Sequence, residues 1–422
     1  MNVVNAGDTA WVLASGALVL FMTPALAVFY AGMVRVKSAL NMMMMSFAAI
    51  GITTIIWVLY GYSLAFGKSN GGLIGGFENV GLAGTLDKVV GPEGHQIPTL
   101  AFAMFQLTFA IITVALLSGA IADRAKFGAW VLFVAVWITL VYIPVAHWVF
   151  ASQGGNGGWI IDKLKALDFA GGLVVEINSG AAALALAIVL GKRDGFRKDP
   201  MRPHNMPLVL LGAGMLWFGW FGFNAGSALS AGQLAATAMI NTQIATAAAA
   251  MTWIAFEKFR DGKATTLGVA SGAIAGAVAI TPACGFLNPI GALILGLIAG
   301  VVSAWAVTRK YKLGYDDSLD VVGVHGVGGI LGMLGIGLLA TLTANSAGAN
   351  GLFFNGGGTQ LSRQIIGIIV VAIFSFAATW LIATIIQKTI GFRAFRDDEL
   401  NGLDTTYHAE SAYDITGNSN RY

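Results

Sequence analysis

Eleven long apolar runs, nearly free of charge, dominate this chain. They are Ala10–Val34, Leu40–Phe66, Leu100–Ala122, Phe127–Phe150, Phe169–Leu190 and Leu208–Ala225, followed by Leu234–Phe256, Thr266–Ala283, Ile290–Val307, Val322–Thr343 and Ile365–Ile390. As helices rising about 1.5 Å per residue, runs of this length reach across a hydrocarbon core of about 30 Å. They are too long for barrel strands, and lipid requires each backbone to satisfy its own polar groups, so helices are expected. Residues 1–390 therefore read as an all-α polytopic membrane domain, and 391–422 as a cytoplasmic tail. Of the 422 residues, 56% are hydrophobic and 11% charged, against roughly 25% charged in a soluble domain. So few charges cannot cover a water-facing surface. A soluble enzyme, a disordered chain and a fibre are all excluded. Met1–Thr9 carries no basic residue, so the first run reads as a retained span rather than a signal peptide.

Lys and Arg in the loops give the orientation. With the N-terminus outside, nineteen of the 24 fall on the cytoplasmic side, the last being Arg421, and Lys68, Lys88, Lys163, Lys165 and Arg363 fall outside. The C-terminus is then cytoplasmic. If spans one to five and six to ten are two copies, the second copy is inverted, with one extra helix at the end. Such repeats place a transport path at their interface. Phe29-Tyr30-Ala31-Gly32 and Phe223-Asn224-Ala225-Gly226 close the first span of each half. Abundant Gly and Ala within the spans suit close helix packing in lipid. Pro24 and Pro144 are expected to kink theirs.

Titratable groups inside the spans are few. Glu176 lies about 11 Å into the fifth span, and His325 about 8 Å into the tenth from the other side, so the two approach each other near mid-membrane. The plain reading is a hydrogen bond that pins two helices. Neutral groups would do that at lower desolvation cost, and intramembrane charge marks pathways and proton relays. Asp168 opens the fifth span as a helix cap, a role compatible with attracting a cation. His95, His147, His204 and His408 lie in or beside loops and are expected to be solvated. No nucleophile–base pair, metal cluster or nucleotide loop is visible, so neither enzymatic activity nor a cofactor or metal is expected. A net charge of +3 implies no nucleic-acid partner, and the single Cys284 forms no intrachain disulfide.

Seven motifs, in order along the chain, carry a family resemblance. They are Phe29-Tyr30-Ala31-Gly32, Tyr142-Ile143-Pro144-Val145-Ala146-His147, Asp168-Phe169-Ala170-Gly171-Gly172, Trp220 through Ser227, Thr281-Pro282-Ala283-Cys284-Gly285, Asp320 through Gly326, and Gly402-Leu403-Asp404 followed by His408-Ala409-Glu410. The chain resembles the ammonium transporter family (Amt/Mep/Rh), as a bacterial Amt-type member. The resemblance implies eleven helices and a plasma-membrane homotrimer with one pore per subunit, taking up ammonium. It implies an outer recruitment site of Phe109, Ser227, Trp220 and Asp168, a gate of Phe109 stacked on Phe223, and a pore pair at Glu176 and His325. It also implies that Gly402, Asp404, His408 and Glu410 dock the tail against the inner face, where a soluble regulator of the PII type binds. Two departures stand out. Glu176 occupies the place of the family's first pore histidine. The recruitment-site tryptophan falls on Phe150, with Trp148 two residues earlier. A passive channel for ammonia or carbon dioxide, as in the Rh branch, and an ammonium sensor acting through a partner are the alternatives.

Overall fold

The computed structural model describes residues 4–413; Arg421, counted above among the cytoplasmic charges, lies outside them. Helices fall on all eleven apolar runs: α1 (Ala6–Met33), α2 (Val36–Phe66), α3 (Thr99–Ile121), α4 (Phe127–Phe150), α5 (Gly172–Leu190), α6 (Met206–Gly226), α7 (Gln233–Asp261), α8 (Thr266–Ile280), α9 (Pro289–Leu313), α10 (Val322–Leu339) and α11 (Thr359–Thr389). Ten are long and apolar enough to cross a membrane. The exception is α8, which stops at Ile280 rather than Ala283 because Pro282 lacks the N–H that would continue the ladder. Several ends differ from the apolar runs. Both α7 and α9 continue through charged residues, Glu257 to Asp261 and Arg309 to Lys312, because a helix need not end where its apolar stretch does. The start of α11 comes before Ile365 and takes in Gln360 and Gln364. In α4, a π-turn over Ile138–Tyr142 comes just before Pro144, a geometry that absorbs the proline's missing hydrogen bond.

Glycines set how the helices meet. A methyl group on Gly212 would lie 2.5 Å from Phe29 N, one on Gly219 2.3 Å from Met22 Cγ, and one on Gly226 2.5 Å from Ser15 Cβ. Residue numbers rise on α6 as they fall on α1, so the two run antiparallel with their backbones almost touching. The same holds for α5 and α10: a methyl on Gly180 would lie 2.2 Å from Gly326 Cα, and one on Gly329 2.8 Å from Glu176 Cβ. Each of the latter helices also begins with a π-turn, Gly172–Ile177 and Val322–Gly326. Antiparallel contact between first and sixth helices, and between fifth and tenth, is the arrangement an inverted repeat produces.

The tail folds onto the helix ends. Following α12 (Arg396–Asn401), Gly402 takes φ +114° against Lys37, a backbone shape that favours glycine. Asp404 then accepts from Leu40 N (3.0 Å) and Asn41 N (2.8 Å) at the start of α2. His408 Nε2 donates to Asn41 Oδ1 at 3.1 Å, with its ring edge-on to Phe127. Glu410 is exposed. Beneath the tail, charges that the sequence presents as loop markers are buried together. Glu399, fully buried, accepts from Asp194 N (2.7 Å) and Arg393 (3.0 Å). Arg193 grips Asp316 through Nε (3.0 Å) and Nη2 (2.9 Å), and reaches Asp123 at 3.3 Å. Arg124 donates to Ser318 Oγ at 2.5 Å and Ala120 O at 3.0 Å.

This network makes stability depend on acid. Burial alone would raise Asp316, but the hydrogen bonds and charge of Arg193, helped by Arg124, hold it down to about 2. A depressed carboxyl contributes stability above its unfolded value of about 3.8, and loses it as pH falls toward 2. The contribution is about 2–3 kcal/mol. Thermal melting in detergent between pH 5 and 2 is expected to show a falling melting temperature for the wild type. Asp316→Asn should start lower at pH 5 and fall less steeply; an unchanged slope would place the acid sensitivity elsewhere.

Candidate functional site

Phe109 on α3 and Phe223 near the end of α6 are both buried, and their rings stack at 4.2 Å between centroids with 26° between planes. They lie toward the face opposite the tail. Phe150, the last residue of α4, meets Phe109 edge-on at 6.4 Å and 88°. Trp220, one turn before Phe223, donates its indole N–H to Thr281 Oγ1 at 2.8 Å. That bond removes the only polar atom of the ring from the space beneath the stack. Ser227 caps α6, and its hydroxyl donates to Phe223 O at 2.8 Å. With the proton committed, the half-exposed oxygen presents only lone pairs.

Directly behind Phe223 lies a narrow cavity of about 20 Å³. Met22, Leu26, Phe29, Ile112, Leu116, Val175, Leu216 and Ile274 line it together with Trp220, Phe223, Glu176 and His325. With the Trp220 N–H engaged, Glu176 and His325 are the polar groups left in an otherwise apolar wall. They are bonded to each other, His325 Nδ1 to Glu176 Oε2, at 2.6 Å. With Nδ1–H donating to the carboxylate, the neutral ring keeps its Nε2 lone pair. Among the described residues neither that nitrogen nor the second carboxylate oxygen, Glu176 Oε1, has a hydrogen-bond partner.

Asp168, expected to support the outer recruitment site, stands just before α5. Asp168 is absent from the cavity lining. Its Oδ1 accepts from Gly171 N (2.8 Å) and Gly172 N (2.7 Å), and its Oδ2 from Leu173 N (2.7 Å). These contacts are those of a helix cap. Gly171 takes φ +121°, and a side chain there would strike Val175. The position has a counterpart in the other half: an interval of 149 residues carries Asp168 to Asp317 and Glu176 to His325. Asp317 Oδ2 accepts from Val322 N at 2.7 Å, at the start of α10.

Three features escaped the sequence reading. Thr281, partner of Trp220, sat unremarked inside a motif. Gln364, fully buried, accepts from Leu167 N (2.8 Å) and donates to Leu167 O (2.7 Å), holding the strand of chain that leads into Asp168. Its signal was an amide four residues from another at the head of an apolar run. His147 was expected to be solvated; it has no exposed surface and bonds to Ala65 O and Ser69 Oγ, each at 2.8 Å. The loop after α2 folds over it.

The sequence model of the Ammonium Transporter Family matches residues 10–413. An ammonium transporter of Mycobacterium tuberculosis (strain ATCC 25618 / H37Rv) is 54% identical over 437 residues, covering 98% of this chain and 92% of that one. One from Bacillus subtilis (strain 168) is 49% identical over 413 residues, covering 97% and 99%. The crystal structure of Saccharomyces cerevisiae Mep2 superposes with a TM-score of 0.84 at 33% identity, covering 93% of this chain and 91% of that one.

The cap at Asp168 has a measurable cost of removal. Asp168→Ala orphans three buried N–H groups, at about 1–3 kcal/mol each before relaxation. Asp168→Asn keeps the oxygen that serves Gly171 and Gly172. Denaturation in detergent should rank wild type above Asn above Ala; equal stability of Ala and wild type would remove the capping role.

Proposed function

Because the chain belongs to the ammonium transporter family, we propose that it takes up ammonium through the path that starts at the Phe109–Phe223 stack and continues into the cavity behind it. The observation that carries this reading is the wall of that cavity, apolar everywhere except at one Glu–His pair. Ammonium reaching the outer mouth must shed water. The faces of Phe109 and Phe150 offer cation–π attraction, and the Ser227 oxygen offers lone pairs. Phe150 in the place of a tryptophan weakens the aromatic share, since indole is the stronger ring for this contact. Trp220 supports the site from below, and Asp168 adds a negative field damped by its three N–H donors.

Beyond the stack, a bare cation faces apolar wall, where an unpaired charge is costly. Neutral ammonia crosses such a wall more easily, so deprotonation accompanies entry. The free Nε2 of His325 is the acceptor for that proton. Glu176 stabilises the imidazolium that results through the bond to Nδ1. This assigns the Glu in the first pore position a role a second imidazole fills less well, since a carboxylate compensates the new charge directly.

Further parts of the reading concern the whole assembly. The chain acts as a plasma-membrane homotrimer, with its N-terminus outside and its tail inside. The docked tail, held at Gly402, Asp404 and His408 with Glu410 facing solvent, presents the surface where a PII-type regulator binds. The alternatives, a passive channel and a sensor, differ in electrical output and in flux.

Two measurements test the proposal. In a cell lacking its own ammonium transporters, the wild type is expected to restore growth on low ammonium; failure to do so would sink the reading. On a supported membrane, an ammonium jump is expected to give a current, where a neutral channel is silent. Glu176→Leu and His325→Leu should each lower that current by about a hundredfold, at the lower end of what loss of a proton-transfer group costs. Undiminished current in either would remove the pair from the proton path.

A further inference from the structure

The outer end of α4 delivers Phe150 to the recruitment site, and His147 lies one turn before it. His147 is fully buried. A carbonyl oxygen can only accept, so the contact with Ala65 O fixes the proton on Nδ1. In the neutral ring Nε2 is then an acceptor, and the Ser69 hydroxyl donates to it at 2.8 Å. Ser69 Oγ in turn accepts from Gly72 N at 3.2 Å, and its N–H donates to Gln153 Oε1 at 3.1 Å. Gln153 Nε2 donates to Gly67 O at 2.7 Å. The chain also closes over the helix end: a methyl on Gly158 would lie 1.9 Å from His147 O. One imidazole thus joins α4, the end of α2 and the two loops that follow these helices.

We propose that His147 is a positioning residue for ammonium recognition, setting through Phe150 the place of the aromatic wall at the outer site. The polar links around it fix where α4 ends, and Phe150 is the residue at that end. Phe150 touches Phe109 only edge-on, at 6.4 Å, a contact that permits the ring to shift when its helix end is released. Cation–π attraction depends on the cation lying over the ring face within about 6 Å of its centroid, so a displaced ring loses binding without altering the pore behind it. Buried imidazole suits the task because it offers one donor and one acceptor on a rigid frame. The proposal rests on the reading of Phe109 and Phe150 as walls of the outer site.

The test is transport kinetics in reconstituted vesicles, with melting temperature recorded for each variant. His147→Ala is expected to raise the half-saturating ammonium concentration about threefold to tenfold, the range one or two lost hydrogen bonds cover, while lowering the maximal rate by less than that. Ser69→Ala keeps the ring and its bond to Ala65, and should raise half-saturation by a smaller factor; it decides the matter if His147→Ala does not fold. Phe150→Ala should raise half-saturation as well, and the double variant His147→Ala with Phe150→Ala should be no worse than Phe150→Ala alone, since one acts through the other. Multiplying effects in the double variant, or a fall in maximal rate at unchanged half-saturation, would overturn the proposal. Unchanged half-saturation in Phe150→Ala would instead overturn the outer-site reading on which it rests.

Discussion

Burying an ionised group without a partner is among the largest penalties a fold can carry, and the deeply placed charged groups of this protein are arranged accordingly. Glu176 is bonded to His325. Asp168 and Asp317 are turned into helix caps. Trp220 is tied to Thr281, the buried Arg193 is paired with Asp123 and Asp316, and the buried Arg124 is bonded to Ser318 and backbone carbonyls. Among the described residues, what remains unpartnered within the cavity is the Nε2 of His325 and the Oε1 of Glu176. Among the residues that line the cavity, ionisable groups are confined to a single contact between α5 and α10.

Much of this was legible in the sequence because lipid removes alternatives. A span must be apolar and helical, so eleven runs announced eleven helices, and the ionisable residues within them stood out. Glu176 and His325 were predicted to meet from depth arithmetic alone. What the sequence hid were contacts between residues far apart in the chain and close to the membrane edges. The pairing of Arg193 with Asp316 spans 123 residues, and in a sequence both look like solvated loop charges. His147 was misjudged for the same reason: the loop that covers it belongs to α2. The cap at Asp168, by contrast, was legible, because its donors follow it within five residues.

The two halves share a frame and differ in chemistry. Both α5 and α10 begin with a capped π-turn, and both carry an ionisable side chain at the corresponding step, yet one is a carboxylate and the other an imidazole. The mismatch leaves a nitrogen lone pair on one partner and a carboxylate on the other.

The backbone contact between Gly180 and Gly326 has a consequence for descent as well as for architecture. Because α5 and α10 meet there main chain to main chain, the spacing of their neighbours is dictated by covalent geometry and leaves no bulky side chain to renegotiate it. The position held by Glu176 therefore behaves like a socket: residues of similar reach can be exchanged in it while the scaffold stays put. A lineage carrying this crossing can try new acid–base chemistry at the heart of the protein by single substitutions, without first having to rebuild the helices around it.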